Sequence, residues 1–467
     1  MGVSGAPRSR PAAGRRRATK GAKTTPGLAA RRAALLILEE SLNPAAILSE
    51  RLEAGLARAS LAPADAAFVR ALVLGTLRRR RGLEAALGRL VERPLPARHA
   101  RVHLVLLIGL AQLLLFDTPP HAAVTTAVAL VQAGKGASRP LAGLVNAVLR
   151  RAVDERDRLA PLVAPRPENV LPPWIEERWR TRFGETALER IARVVAIPPP
   201  IDLTLKPGVD GRSLAERLKA EVLPTGSLRL APGTRVERLE GFRQGKFWVQ
   251  DAAAMLPVRL LLTALETCGG VGAGPVIDLA AAPGGKTMQL AAAGVRVQAL
   301  DRSRSRLERL RENLARTRLS AELLVGDAQH PPFAPGSASA VLLDAPCSAT
   351  GTLRRHPDLG WKRGPDDIAR LAERQRRMLE AAAGLVAQGG VLVYCVCSLE
   401  PEEGVGQVEE FLAKHREFAR LPVREAELPG LAEARTPSGD VLTHPGIWAG
   451  RGGIDGFHVS RLVRRQD

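Results

Sequence analysis

The chain has 467 residues, too many for one ordinary hydrophobic core, and this length predicts several domains of roughly 100 to 200 residues each. Its apolar content of 45% is that of a soluble globular protein, whereas 68 lysines and arginines against 48 acidic residues predict a polyanionic partner. An arginine-rich solvated surface would give the same net charge of +20, so charge alone does not decide.

The cysteine content and the apolar segments indicate the cellular compartment of the protein. Four cysteines are too few to cross-link a chain of this size, which favours a reducing compartment, and we expect a cytoplasmic protein. Residues 1–27 are basic and lack the apolar segment of a secretory signal, so we expect a disordered basic tail. The longest apolar run, Val102 to Phe116, is shorter than the roughly 20 residues of a membrane span and predicts a buried helix, with no membrane partner.

Residues 28–155 predict an all-helical domain. Apolar side chains recur at helical spacing, for example at Leu83, Leu87 and Leu90. The basic run from Arg78 to Arg81 follows another such stripe. It predicts either contacts with phosphates or a solvated helix end, and both interpretations stay open.

Parts of this helical region resemble a known domain. The stretches Phe68 to Leu77, Pro120 to Val124 and Leu144 to Arg151 resemble the helical NusB-type domain. This resemblance implies an RNA-binding role for about 120 residues. It also leaves an alternative of a different class, in which the chain is a non-catalytic RNA-binding or antitermination factor.

The rest of the chain predicts a small connecting domain and a larger α/β domain. Proline-rich segments and a mixed pattern indicate an α+β connector over residues 160–245. From residue 246 to 467, short apolar runs alternate with helix-length segments, which predicts a doubly wound, Rossmann-like α/β domain with a parallel sheet. The runs are Val276 to Leu279, Val295 to Leu300, Ala340 to Leu343 and Val391 to Val396.

A glycine-containing loop follows the first of these strands. It runs from Asp278 to Thr287, and Gly284 and Gly285 allow the backbone to approach a ligand closely before a helix begins. A Walker A loop needs glycine where this chain has Ala280, so the pattern excludes an NTPase of that type. The dinucleotide fingerprint is also absent after this strand.

Two acids follow the next two strands. Asp301 lies about 20 residues beyond the glycine loop, where a carboxylate can accept hydrogen bonds from a ribose diol. Asp327 ends the third strand-like run, where an acid can accept from the amino group of adenine. Either acid alone is equally well explained as a turn or helix cap, but the register of both with the loop predicts an adenosine-containing ligand.

Two cysteines end neighbouring strands at the same predicted edge. Cys347 follows Asp344-Ala-Pro, and Cys397 ends a Cys-Val-Cys strand. A thiolate is a soft, strong nucleophile suited to adding to carbon 6 of a pyrimidine, which makes carbon 5 able to take a methyl group. The step needs a donor at ring nitrogen 3, and we expect Asp344, held protonated by an apolar site, to provide it.

The cysteines also allow other interpretations. Cys395 and Cys397 have the spacing of half a zinc site, but no second pair is present at ligand spacing, so we expect no metal. Free cysteine is among the most buried residue types, and we expect Cys395 and Cys268 to be core residues.

The motifs of the α/β region resemble the RNA cytosine-5 methyltransferase family, and together with the NusB-like half they resemble its Sun or RsmB type, which modifies small-subunit ribosomal RNA. The segments that carry the resemblance are the glycine loop, Asp344 to Cys347, Arg355 to Asp358 with Trp361, Cys397 to Glu403, Gln250-Asp251, and Gly452 to Phe457, the last expected to be a closing strand.

The resemblance implies S-adenosylmethionine as cofactor and ribosomal RNA as partner. It implies that Cys397 is the nucleophile and that Cys347 assists release of the product. In the related DNA methyltransferases the Pro-Cys cysteine is the nucleophile instead. The residues implied to contact the cofactor are Ala280, Ala281, Ala282, Pro283, Gly284, Gly285, Lys286, Asp301, Asp327 and Asp344.

This chain departs from the family pattern at two positions. The family often has Cys where this chain has Ala280, which we expect to be tolerated because the position acts through its backbone and small size. The family has Thr where this chain has Val396, so a hydroxyl beside the nucleophile is lost. Transfer RNA is an alternative substrate, and we expect a monomer.

Overall fold

The computed structural model describes residues 1–2, 25–134, 136–267 and 274–466. Residues 3–24 of the predicted disordered tail lie outside the described part, as does Cys268, which was expected to be buried. The side chains of residues 136–138 are also outside it.

The first region is a bundle of helices around one apolar core. Its helices are α1 (Leu28–Ser41), α2 (Leu48–Ala59), α3 (Pro63–Arg78), α4 (Arg80–Leu90), α5 (Ala100–Leu114), α6 (Pro120–Gln132) and α7 (Ala142–Asp154). Helix α5 is apolar on all sides because it is the central helix, which is what an all-round hydrophobic pattern indicates.

The long apolar segment is longer than expected. By length and composition alone, Ala97–Leu114 could cross a membrane, but 67% of it is buried inside the protein. Side chains such as Val102, Leu106 and Leu110 are fully enclosed by the neighbouring helices. The prediction of a buried helix is therefore confirmed.

Helices and a small sheet connect this bundle to the remainder of the chain. They are α8 (Arg156–Leu159), α9 (Pro167–Val170), α10 (Pro173–Phe183), α11 (Glu185–Val195), β1 (Ile201–Leu205), α12 (Gly211–Leu218), β2 (Glu221–Val222), β3 (Leu228–Leu230) and β4 (Phe247–Val249). The strands form an antiparallel sheet in the order β2-β3-β1-β4. The predicted limit at residue 245 falls inside this sheet, because Trp248 in β4 pairs with Thr204 in β1.

The last region is an α/β layer structure. Its elements are α13 (Leu256–Thr267), β5 (Val276–Leu279), α14 (Gly285–Ala292), β6 (Val297–Asp301), α15 (Arg304–Thr317), β7 (Glu322–Val325), β8 (Ala338–Asp344), α16 (Leu359–Lys362), α17 (Pro365–Leu385), β9 (Val386–Val396), α18 (Val405–Lys414), β10 (Phe418–Arg420), β11 (Val441–Thr443) and β12 (Phe457–Arg464).

The sheet of this region has the order β10-β12-β9-β8-β5-β6-β7, with β11 beside β12. Strands β5 to β9 are parallel to their neighbours and β12 is antiparallel to β9. Alternate strand residues face opposite sides: Leu342 packs toward α13, whereas Leu343 packs toward α17. The predicted doubly wound fold is confirmed.

One expected strand is mostly a loop. The segment Gly452 to Gly456 precedes β12, which begins at Phe457. Gly452 and Gly453 have φ angles of 86° and 79°, and this left-handed backbone does not fit a strand.

Candidate active site

The strand order brings the predicted site residues to one edge of the sheet. The chain leaves β5 to one side through β6 and β7 and returns to its other side at β8, so the sheet has a switch point between β5 and β8, where ligands bind in open α/β sheets. In register, Leu279 lies opposite Leu343, and Asp344 lies opposite Cys395. The glycine loop, Asp344 and the Cys-Val-Cys strand end therefore emerge side by side.

The glycine loop is held by hydrogen bonds to β6. The N–H of Ala281 donates to the carbonyl of Leu300 at 2.9 Å, and the N–H of Ala282 donates to Asp301 Oδ2 at 3.1 Å. Ala280 has a φ of 61°, a left-handed conformation that residues other than glycine adopt only rarely. Asp301 thus orders the loop as well as lining the site.

A small pocket lies at the ends of these strands. Its lining combines apolar residues with both predicted acids: Ala280, Leu300, Asp301, Gly326, Asp327, Ala328, Pro346 and Met378, with Arg302, Arg306 and Arg374. Apolar surface with carboxylates at two strand ends has the chemistry that an adenosine group requires.

The other residues predicted for the cofactor lie beside this cavity rather than in its lining. The loop from Ala281 to Gly285 leads into α14, and Lys286 lies in the first turn of that helix. Lys286 Nζ is 2.7 Å from Asp344 Oδ2. The ammonium also lies 5.1 Å from the ring centre of Phe457.

The surroundings of Asp344 contradict the expectation of an apolar site. Its carboxylate accepts from Lys286 and, at 3.6 Å, from the thiol of Cys395, and its side chain is 32% exposed. Burial opposes the charge of Lys286, but the Asp344 carboxylate outweighs it and raises the pKa of Lys286 above its usual value. Asp344 thus has a cation as its partner at the strand end, and its role as a donor stays a prediction.

Asp278 is a functional candidate that sequence reasoning did not select. It is fully buried, accepts from Thr287 Oγ1 at 2.6 Å, and its Oδ1 has no hydrogen-bond partner among the described residues. Burial raises the pKa of Asp278 to about 7, with a smaller contribution from the charge of Asp344. An unpartnered buried acceptor beside the glycine loop fits a polar ligand group there.

The two predicted cysteines are brought together. Cys347 Sγ and Cys397 Sγ are 3.4 Å apart, and both side chains are half-buried. The hydrogen bond to Cys397, together with burial, raises the pKa of the Cys347 thiol well above its usual value. Cys395 is buried, as expected of a core residue, although its thiol also reaches Asp344.

Three segments that carry the family resemblance, but for which the sequence predicted no role, contribute to a buried ionic network. Arg354 Nε donates to Asp455 Oδ1 at 2.6 Å, and its other nitrogens reach Asp251 and the carbonyl of Gly452. Arg355 bridges the same two aspartates at 2.6 and 2.8 Å. The network ties the segment after Cys347 to the end of the small sheet and to the start of β12.

No cluster of three or more metal-ligating side chains occurs in the part of the chain that the structure describes. The absence of a metal from the reaction stays a prediction.

Comparisons with known proteins agree with this geometry. The family model for the 16S rRNA methyltransferase RsmB/F matches residues 272–463, and the NusB family model matches residues 28–154. The ribosomal RNA small subunit methyltransferase B of Yersinia enterocolitica is 34% identical over 87% of this chain and 92% of its own length. The protein of the same name from Klebsiella pneumoniae is 35% identical over 86% and 91%.

The chain belongs to the RsmB family of 16S rRNA methyltransferases. This membership confirms the predicted enzyme class, the NusB-type domain and S-adenosylmethionine as the cofactor. The predicted roles of individual residues remain predictions.

Solved structures show the same fold. The structure described as PH0851 has a TM-score of 0.72 and 22% identity, and it covers 94% of this RsmB-family chain and 98% of its own. That of NSun6 from Pyrococcus horikoshii with SFG has a TM-score of 0.51 and 19% identity over 63% of this chain and 99% of its own.

Proposed function

We propose that this enzyme methylates carbon 5 of a cytosine in 16S ribosomal RNA through a covalent adduct with Cys397. The observation that carries the proposal is the pair of thiols 3.4 Å apart at the ends of neighbouring strands, beside the Lys286–Asp344 pair. Methylation of a ring carbon needs a nucleophile to activate the ring, and two cysteines in contact allow one to add and the other to assist release.

The cofactor is proposed to lie across the strand ends. Asp301 and Asp327 would accept from the ribose hydroxyls and the adenine amino group, and Met378 would pack against the base. The loop from Ala280 to Lys286 would follow the methionine part. When bound, S-adenosylmethionine supplies a methyl group on a positively charged sulfur.

The chain's own residues then divide the chemistry. The thiolate of Cys397 adds to carbon 6, and the electron pair of the 5,6 double bond moves to carbon 5, which takes the methyl group. Lys286 Nζ donates to Asp344 Oδ2 at 2.7 Å, and another N–H of this ammonium would supply the hydrogen bond that nitrogen 3 needs.

Release requires loss of the proton on carbon 5. Cys347 takes this proton as a thiolate after giving up its own to solvent, the 5,6 double bond re-forms, and the carbon–sulfur bond to Cys397 breaks. The raised pKa of Cys347 makes its thiolate a stronger base for this step.

Substitution of the two cysteines tests the roles. We expect Cys397→Ser to abolish methylation, and Cys347→Ala to leave protein covalently trapped on RNA, because the adduct forms but does not break. Methyl transfer to 16S RNA and a gel shift that survives denaturation measure the two outcomes. Normal turnover by the Cys347 variant together with activity of the Cys397 variant would show the assignment to be wrong.

The methylated nucleotide and the identity of the substrate RNA need a separate measurement. Bisulfite sequencing of total RNA with and without the gene should show one cytosine in 16S RNA whose signal depends on the gene. A signal in transfer RNA instead would favour the alternative substrate. Calorimetry that detects no binding of S-adenosylmethionine would favour a non-catalytic RNA-binding factor. We further propose that the enzyme acts as a cytoplasmic monomer.

A further inference from the structure

Glu403 is a buried carboxylate without a role in the steps above. Its side chain is inaccessible to solvent, in the turn between β9 and α18. Its Oε1 accepts from the N–H of Ser348 at 2.9 Å and from Gln375 Nε2 at 2.9 Å, and its Oε2 accepts from Ser398 Oγ at 2.5 Å and from Ser348 Oγ.

These contacts join the two loops that carry the cysteines. Ser348 directly follows Cys347, and Ser398 directly follows Cys397. The two serine hydroxyls also lie 3.1 Å from each other. Because one carboxylate binds the residue after each cysteine, it limits how far the two thiols can move apart.

The position of Glu403 is itself fixed from two sides. Gln375 in α17 donates to its carboxylate and also to the carbonyl of Pro346, one residue before Cys347. The hydroxyl of Tyr394 donates to the Glu403 carbonyl at 2.6 Å. Helix α17 and strand β9 therefore hold the carboxylate against both loops.

The Glu403 carboxylate makes more contacts with the loop of Cys347, because both the N–H and the hydroxyl of Ser348 donate to it, against one hydroxyl from Ser398. The donors to the Glu403 carboxylate described above are neutral groups, so no cation among them cancels a negative charge. After the hydrogen bond to Cys397, burial and the charge of Cys397, the charge of Glu403 adds to the causes that raise the pKa of Cys347. The pKa of Glu403 is itself raised by burial, against which the hydrogen bonds from the serines and Gln375 act.

We propose that Glu403 is a positioning residue that holds the loops of Cys347 and Cys397 together and keeps Cys347 as the protonated partner, so that Cys397 is the nucleophile. This inference rests on the proposed two-cysteine chemistry.

The test is Glu403→Gln, which keeps the length of the side chain and removes its charge. We expect kcat to fall at least about tenfold with the Kd for S-adenosylmethionine unchanged. We also expect Cys347 to react with iodoacetamide at a pH lower by about one unit, because loss of a nearby negative charge favours the thiolate. Alkylation is measured on the full chain without RNA, resolved by residue with mass spectrometry.

Two further variants separate the effect of the hydrogen-bond link from the effect of the charge. Ser348→Ala removes one link and keeps the charge, so we expect a lower kcat without the shift in Cys347 alkylation. Glu409→Gln, an exposed acid on α18 paired with Arg420, is the matched control and should change neither property. Should Glu403→Gln disturb folding, seen as a lowered Tm, Ser348→Ala still tests the link.

The inference is overturned if Glu403→Gln retains wild-type kcat, or if its Cys347 alkylation profile stays that of the wild type while kcat falls, since the latter indicates a merely structural role. Alkylation does not depend on methyl transfer. If the wild-type enzyme makes no 5-methylcytosine, the proposed function is refuted. The alkylation result would still show whether the charge of Glu403 acts on Cys347.

Discussion

Gly284 shows how one residue shapes the glycine loop. Its φ of 106° lies where side chains are strained, and a Cβ added there would lie 2.1 Å from Leu310 Cδ1 in α15. Two independent constraints, backbone conformation and close packing, therefore favour glycine. Since the loop precedes the helix that carries Lys286, a displacement at Gly284 reaches both the proposed cofactor site and the Lys286–Asp344 pair.

Gly284→Ala is expected to weaken cofactor binding and stability together. The left-handed backbone costs about 1–2 kcal/mol and overpacking against Leu310 about 1–3 kcal/mol. We expect the Kd for S-adenosylmethionine, measured by calorimetry, to rise at least about tenfold, with a lower midpoint of urea unfolding. Gly294→Ala is the control, because Gly294 has a φ of 80° but nothing within 4 Å of an added Cβ. Equal losses of affinity in both variants would rule out the packing explanation.

The surroundings of Asp344 could not be predicted from the residues next to it in the sequence. The apolar strand before it suggested a protonated acid, but the side chain that meets it comes from α14, 58 positions away along the chain. The Asp344 carboxylate lies at a strand end beside Lys286 in the first turn of that helix. The surroundings of Asp344 depend on this long-range pairing, which no local pattern contains.

Among the elements, α10 holds the segment that follows Cys397. Arg178 Nε donates to the buried carboxylate of Glu400 at 2.6 Å, and the indole N–H of Trp179 donates to the same group at 3.1 Å. Arg182 donates to the carbonyl of Leu399. The connecting region thus contributes directly to the position of the loop after Cys397.

Arg178→Met is expected to destabilise this loop by about 1–3 kcal/mol, because it leaves the carboxylate of Glu400 buried with one donor fewer. We expect lower kcat and faster proteolysis near residue 400, measured by steady-state kinetics and limited digestion. Arg193→Met, on the exposed side of α11, is the control. Wild-type kinetics for Arg178→Met would show that α10 is only a spacer.

At the scale of the whole molecule, the basic run from Arg78 to Arg81 joins the helical bundle to the rest of the chain. Both sequence interpretations of this run were wrong for most of it, because its guanidinium groups bind within the protein. Arg78 donates to the carbonyl of Arg354 at 3.1 Å, Arg79 to those of Ala196 at 3.3 Å and Val163, and Arg81 to that of Leu171 at 3.0 Å and to Glu176. Arg80 stacks on Trp361 with its guanidinium carbon 5.0 Å from the ring centre.

Replacing Arg78 and Arg79 by Met should uncouple the two halves. The carbonyls left without donors at the junction cost about 1–3 kcal/mol each. We expect the single calorimetric transition of the wild type to split in two, with S-adenosylmethionine shifting only the second. Arg89→Met, on the exposed side of α4, should leave one transition. A single unshifted transition in the double variant would mean that other contacts carry the coupling.

The sequence by itself predicted the fold class, the order of the regions, the glycine loop after the first strand and the two cysteines at one sheet edge, because these depend on local periodicity and on motifs of fixed spacing. The roles of the loop and of the cysteines stay predictions. Strand starts and ends were predicted within a few residues, as Val276 to Leu279 shows, whereas the small sheet reached past residue 245 because strand pairing is not local. Only the tertiary structure decided the pairing of Lys286 with Asp344, the contact of Glu403 with both cysteine loops and the inward direction of Arg78. In each case a charged group finds its partner across a long stretch of chain, and its burial and charge follow from that partner.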